Sequence, residues 1–347
     1  MTKKRRISWI VFFISVVFIM GNAIYVIYFS EKEEAPAGSL LLERDVSVGA
    51  RTLKRENEPI SPIRKPKNLN AGKVELGYAL FHDPRLSKDD TISCASCHDL
   101  LNGGVDDTKF SVGVDGAVGS INAITVYNSS LNFVQFWDGR AKSLAEQTAG
   151  PITNPVEMAS SWQQVISKLS ADADLSDYFI RVYGEKPGRR NIADALAEFE
   201  RSLVTPSRLD RWLQGDNDAL TPAELRGYNA FVSHGCAACH QGEGIGGNIY
   251  QRFGIMHDYF ANKGQISQSD MGRFNVTKRE EDRFVFKVPS LRNVMLTAPY
   301  FHDGSSETLE SAVVQMGYFQ LGENLPSGDV ENIVEFLNAL TGEELQR

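Results

Sequence analysis

Cys94-Ala-Ser-Cys97-His98 and Cys236-Ala-Ala-Cys239-His240 use every cysteine in the chain. C-x-x-C-H is the attachment pattern of a c-type haem. Two thiols form thioethers with the haem vinyls, and the adjacent imidazole supplies an axial nitrogen to the iron. The competing uses of such cysteines are a four-thiolate zinc site or two thioredoxin-like redox pairs. Neither requires a histidine directly after each second cysteine. Two copies with no cysteine left over point to two covalently bound haems c, on Cys94, Cys97 and His98 and on Cys236, Cys239 and His240.

Helices must position these motifs. Gly77-Tyr-Ala-Leu-Phe81 precedes the first motif and Gly227-Tyr-Asn-Ala-Phe231 the second, a weak internal repeat. Each reads as a short amphipathic helix leading into a haem turn. The second has start signals: Thr221 as N-cap, Pro222 at the first helical position and Glu224 three residues after the cap. Further helices are expected over 162–169, 175–183 and 191–203, the last with Ile192, Leu196, Phe199 and Leu203 on one face. A final helix is expected over 329–340, with Ser327 or Asp329 near its start, Gly342 after its end and Val330, Ile333, Val334 and Leu337 as its stripe. Residues 102–119 and 242–248 are Gly-rich loops.

At the N-terminus, Lys3-Lys4-Arg5-Arg6 precedes an apolar run from Ile7 to Phe29, about the length of one membrane-spanning helix. Basic residues before it and Glu31, Glu33 and Glu34 after it place the body outside the cytoplasm. A cleaved signal peptide is the alternative, and Ala35-Pro36-Ala37 is a poor cleavage site for one. Both readings lead to the periplasm; the first anchors the protein to the inner membrane. The expected organisation is therefore mainly α, with two c-type cytochrome domains in tandem behind one transmembrane helix. The anchor or signal peptide covers 1–30, a Pro-rich flexible tether 31–70, the first domain 71–212 and the second 213–347. Net charge is −8, with no basic patch interleaved with aromatics, which argues against nucleic acid as a partner.

Longer strings carry a resemblance. Asp83-Pro84-Arg85-Leu86-Ser87, Ile92-Ser93-Cys94, Gly103-Gly104-Val105-Asp106 and Phe136-Trp137-Asp138-Gly139-Arg140-Ala141 are similar to bacterial dihaem cytochrome c peroxidases. So are Gly272-Arg273-Phe274, Pro289-Ser290-Leu291-Arg292-Asn293-Val294, Thr297-Ala298-Pro299-Tyr300-Phe301-His302 and Gln315-Met316-Gly317. The similarity runs from about residue 71 onward. It implies an enzyme that reduces hydrogen peroxide to water with electrons from a small cytochrome c, a cupredoxin or quinol. The C-terminal high-potential haem would receive electrons and the N-terminal haem would bind peroxide. By resemblance, His98 is the proximal ligand of the peroxidatic haem, and His240 and Met316 are the axial pair of the other. A Met/His pair raises the potential, which agrees. Met256, Met271 and Met295 also follow the second motif, and the resemblance selects Met316 among them.

The resemblance further implies Glu157 as acid–base, with Gln147 beside it to orient peroxide. Trp137 falls between the haems, as an electron path or as packing. His302 falls at a haem edge. His82, His234 and His257 have no implied role and read as structural. Asn122 and the carbonyls of Thr297 and Pro299 match a calcium site, and a homodimer is the implied assembly. Around Asn122 the chain departs from the family, with Ile121 where Arg is usual and Ile124 where Pro is usual before the Thr. The main departure is Val114, in Ser111-Val112-Gly113-Val114-Asp115-Gly116, where most members carry a second axial His. This implies an open peroxidatic iron at rest and no need for reductive activation, unless Asp115 reaches it. The alternatives are a MauG-type dihaem oxidase acting on a protein or organic substrate, and an electron carrier or redox sensor.

Overall fold

The structure, a computed structural model, describes residues 55–345 and, of the N-terminal segment, two short strands. Those strands, β1 (Val16–Ile19) and β2 (Ile24–Ile27), pair antiparallel. They fall inside the run expected to form a membrane helix, whose other residues lie outside the described ones. Both strands are rich in β-branched residues, which favour extended backbone. No described helix is long and apolar enough to cross a membrane.

The body is mainly helical. In chain order its helices are α1 (Ala71–Phe81), α2 (Leu144–Gln147), α3 (Ala149–Thr153), α4 (Trp162–Ala171), α5 (Ala173–Tyr183) and α6 (Arg189–Ser202). They continue with α7 (Arg208–Leu213), α8 (Pro222–Ser233), α9 (Phe274–Thr277), α10 (Leu309–Met316) and α11 (Ser327–Asn338). A small antiparallel pair, β3 (Tyr250–Arg252) and β4 (Val285–Lys287), sets Tyr250 opposite Lys287. The caps follow the sequence signals. The Thr221 hydroxyl accepts from Glu224 N at 3.2 Å, and the Glu224 carboxylate accepts from Thr221 N at 2.7 Å, with Pro222 in the first turn. The Asp172 carboxylate accepts from Leu175 N at 3.0 Å at the start of α5, and α5 ends at Gly184.

Two cores follow one another along the chain. Leu76, Leu80 and Phe81 of α1 pack with Ile192, Leu196 and Phe199 of α6 in the first. Tyr228 and Phe231 of α8 pack with Ile333, Phe336 and Leu337 of α11 in the second. The internal repeat has a packing cause. A Cβ on Gly77 would lie 2.0 Å from the Ala195 carbonyl oxygen of α6, and one on Gly227 would lie 1.8 Å from that of Asn332 on α11. In both halves the helix that leads to a cysteine pair crosses its partner at a glycine, where the backbones touch.

Part of the segment expected as a flexible tether is packed. Ile60 is only 1% exposed in the second core, Ile63 N donates to Asp210 at 2.7 Å, and the Arg55 guanidinium stacks 4.0 Å from the Trp212 ring. Two isolated isoleucines in a polar, Pro-rich stretch show no periodicity, yet each fills a waiting gap. A buried seam joins the halves. Thr205 N donates to Asn128 Oδ1 at 2.9 Å, and the Thr205 hydroxyl accepts from Asn128 and Asn293.

Candidate active site

Each Cys-x-x-Cys-His sits on one tight turn. Cys94–Ser96 and Cys236–Ala238 are single 3-10 turns. The His98 and His240 amides each donate 3.0 Å back to the first cysteine's carbonyl. This folding brings two thiols and one imidazole to the same wall. His98 Nδ1 lies 3.1 Å from Gly104 O and His240 Nδ1 lies 3.3 Å from Ile245 O. A carbonyl can only accept, so each Nδ1 carries the proton and each Nε2 keeps a free lone pair. Burial lowers both imidazole pKa values, His240 to about 4, so both rings are neutral and able to ligate. Burial also pushes the Cys94 thiol up to about 12 and the Cys236 thiol up to about 11. Gly246, at φ 123°, makes room here: a Cβ would sit 2.1 Å from Pro289 O and 3.3 Å from the His240 ring.

Two cavities open from these turns. The first, about 370 Å³, is lined by Cys94, Cys97 and His98 together with Glu157, Gln147 and Trp137. The second, about 230 Å³, is lined by Cys236, Cys239, His240, Met316, His302 and again Trp137. Of the methionines after the second motif, only Met316 lines that cavity. It is the last residue of α10, before a wide π-turn over Gly317–Leu321. Asn122, Thr297 and Pro299 also line the second cavity.

Glu157 is partly buried. Burial raises its pKa, against the hydrogen bond from Asn154 Nδ2 at 2.6 Å and the charge of Arg140. Arg140 in turn is held over the Phe136 ring at 3.4 Å and pairs with Asp138 at 3.0 Å. Val114 N donates to Glu157 O at 2.8 Å, and the valine side chain is 2% exposed. Asp115 is exposed and does not line the first cavity, where His98 is the only imidazole. Trp137 Nε1 donates to Asn122 O at 3.0 Å, and its ring meets those of Phe286 and His302 edge-on at 6.4 and 6.3 Å.

The remaining histidines lie elsewhere. His82 is exposed against Tyr78, His257 stacks on Tyr318 at 4.2 Å, and His234 joins Glu323 and Asp329.

Comparison with known proteins bears on the same residues. The family model described as "Di-haem cytochrome c peroxidase" matches residues 71–218. The cytochrome c551 peroxidase of Nitrosomonas europaea is 48% identical over 290 residues, which is 83% of this chain and 85% of the relative. The chain belongs to the di-haem cytochrome c peroxidase family. Cytochrome c peroxidase Ccp of Escherichia coli is 52% identical over 82% of this chain, which spans only 62% of that longer relative. Methylamine utilization protein MauG of Methylorubrum extorquens is more distant, at 36%. In fold, a MauG-like protein associated with microbial copper homeostasis superposes with a TM-score of 0.72 at 27% identity, covering 84% of this chain and 95% of its own. Membership in this family implies two haems, and the paired thiols, neutral imidazoles and adjoining cavities fit them.

Sequence reasoning passed over three features of this dihaem site. Glu200 of α6 lines the first cavity, and burial alone raises its pKa to about 8. It stands four residues after Leu196, so a charge on an apolar helical stripe was the available signal. Lys287, 1% exposed, lines both cavities; a lysine inside Phe284-Val285-Phe286-Lys287-Val288 was the signal there. Asp270, His302 and Asp303 gather donor atoms within 4.8 Å of one another. The Lys263 ammonium bonds both carboxylates, at 2.5 Å to Asp303, so a cation of the chain already fills that cluster.

Proposed function

We infer that this chain reduces hydrogen peroxide to two waters, consuming two protons and two electrons from a small external donor. Haem, when bound, would supply the iron for O–O cleavage at the first cavity and the electron entry at the second. The observation that carries the reading is Glu157 and Gln147 in the same cavity as Cys94, Cys97 and His98, with Trp137 shared by both cavities. The role of Glu157 is to take the proton from one peroxide oxygen and return it to the departing one. The Asn154 amide fixes that carboxyl, and Gln147 offers an amide to orient the peroxide. His98 in the first cavity, and His240 with Met316 in the second, would hold the haem irons. Met316 favours the peroxidase over a MauG-type oxidase, which carries a tyrosine in that role.

The test is peroxide turnover by the haem-loaded protein with reduced cytochrome c; no turnover, with both haems attached, would sink the reading. The resting state is tested by the spectrum of the oxidised protein. With one imidazole in the first cavity and Val114 buried, a high-spin haem that reacts at once with peroxide is expected. Two low-spin haems, and a lag that prior reduction removes, would contradict it.

We further propose that the run from Ile7 to Phe29 holds the body at the outer face of the inner membrane; release by an alkaline wash would refute that. A calcium ion between Asn122 and the Thr297 and Pro299 carbonyls is proposed on its neutral oxygen donors, which suit that ion. Asn122 Nδ2 donates to Thr108 O at 3.1 Å, which leaves Oδ1 for such a role. Chelation without effect on spectrum or turnover would remove it.

A further inference from the structure

The wall between the two cavities is made by residues 122–125, Trp137, Phe286 and Lys287, all of which line both. Lys287 is the unusual member. Its side chain is 1% exposed, and no carboxylate or other acceptor among the described residues reaches its ammonium. Burial lowers its pKa to about 8.

Among the described residues, the buried Arg292 and the half-buried Arg208 and Lys263 are all paired. Arg292 meets Asp210 through bonds of 2.7 and 2.9 Å, Arg208 meets Glu224, and Lys263 meets Asp270 and Asp303. Arg140, beside the first cavity, is committed to Asp138. Arg252, beside the second, is exposed. Lys287 cannot easily withdraw, because its backbone is fixed twice. Its N–H donates to Trp137 O at 2.8 Å, and it pairs with Tyr250 in the β3–β4 register.

A buried ammonium without a partner costs several kcal/mol. Such a group persists in a fold when something outside the chain completes it. Haem brings carboxylates of its own, the propionates, into these cavities. We propose that Lys287 is the counter-ion of a haem propionate at the wall shared by the two cavities, and a positioning residue that raises the reduction potential of that haem. The proposal rests on the haem-binding reading but not on peroxide turnover.

The experiment uses the full chain with both haems attached, as K287M and K287R. Resonance Raman spectra would report the propionate bending bands, and potentiometric titration the two potentials. In K287M, one haem should show shifted propionate bands. Its reduced-to-oxidised ratio at fixed ambient potential should fall roughly tenfold or more, because a nearby positive charge is lost in a poorly screened site. K287R should keep both signatures close to the parent. Unchanged bands and potentials in K287M would overturn the proposal. If K287M fails to mature, a crystal structure of the parent holoprotein decides. An Nζ within 4 Å of a propionate oxygen supports the pairing, and an Nζ bonded elsewhere refutes it. Neither readout uses turnover, so a protein inactive toward peroxide still tests the proposal.

Discussion

A carboxyl group that carries a proton in both directions works best with a pKa near the working pH. Burial moves the Glu157 pKa up from the ordinary carboxylate range, while Asn154 and Arg140 restrain the rise. The isosteric change Glu157→Gln keeps the Asn154 contact in reach and removes the exchangeable proton. Turnover should fall by roughly 10² to 10⁴-fold with both haems retained, as steady-state peroxide assays would show. A loss below tenfold would assign the proton to another group. At this scale the sequence was partly legible. The Cys-x-x-Cys-His turns could be read from spacing, because the thioether and imidazole chemistry proposed for them constrains neighbouring residues. Glu200 and Lys287 could not be assigned, because burial, which makes them unusual, is set by elements far away in the chain.

At the scale of elements, helix crossings and helix ends make separate predictions. Gly227 lies where α8 touches the α11 backbone, so Gly227→Ala must push the helices apart. It should destabilise the protein by about 1–3 kcal/mol in denaturant unfolding, as overpacked cores do. Gly328, with nothing within 4 Å of an added Cβ, is the control, and Gly328→Ala should be neutral or mildly stabilising. His234, the residue after α8, bonds to Asp329 of α11 at 3.0 Å and to Glu323 at 2.9 Å. Those hydrogen bonds raise its pKa above 6.5. Its contribution is therefore fully present below the unfolded pKa and lost as pH rises through the folded one. His234→Gln should be less stable than the parent at about pH 6, and the two should converge in alkaline solution. Equal stability across the whole range would show that the pairs contribute nothing.

At the scale of the molecule, the question is what couples the two cavities. Trp137 lines both and is fixed by its bond to Asn122 O. Trp137→Phe should keep both haems and slow the passage of electrons from the second site to the first, measured by stopped-flow after reducing the C-terminal haem. An unchanged rate would leave the indole a packing role. The two halves are joined by the seam through Thr205, Asn128 and Asn293.

By itself the sequence determined the two Cys-x-x-Cys-His turns, the helices that precede them and the family. These rest on short-range facts: residues three or four apart meet on one turn, and caps act within one turn of a helix end. Even the glycine of the repeat was visible, though its purpose was not. The tertiary structure decided the rest. It brought Glu157 and Gln147 to the cavity of His98, and Met316 to that of His240, across 48 residues or more of intervening chain in the first case. It packed Ile60 into the second core and left Lys287 buried and unpaired between the cavities. Such placements depend on which surfaces are hidden from water together, and no local pattern of residues encodes that.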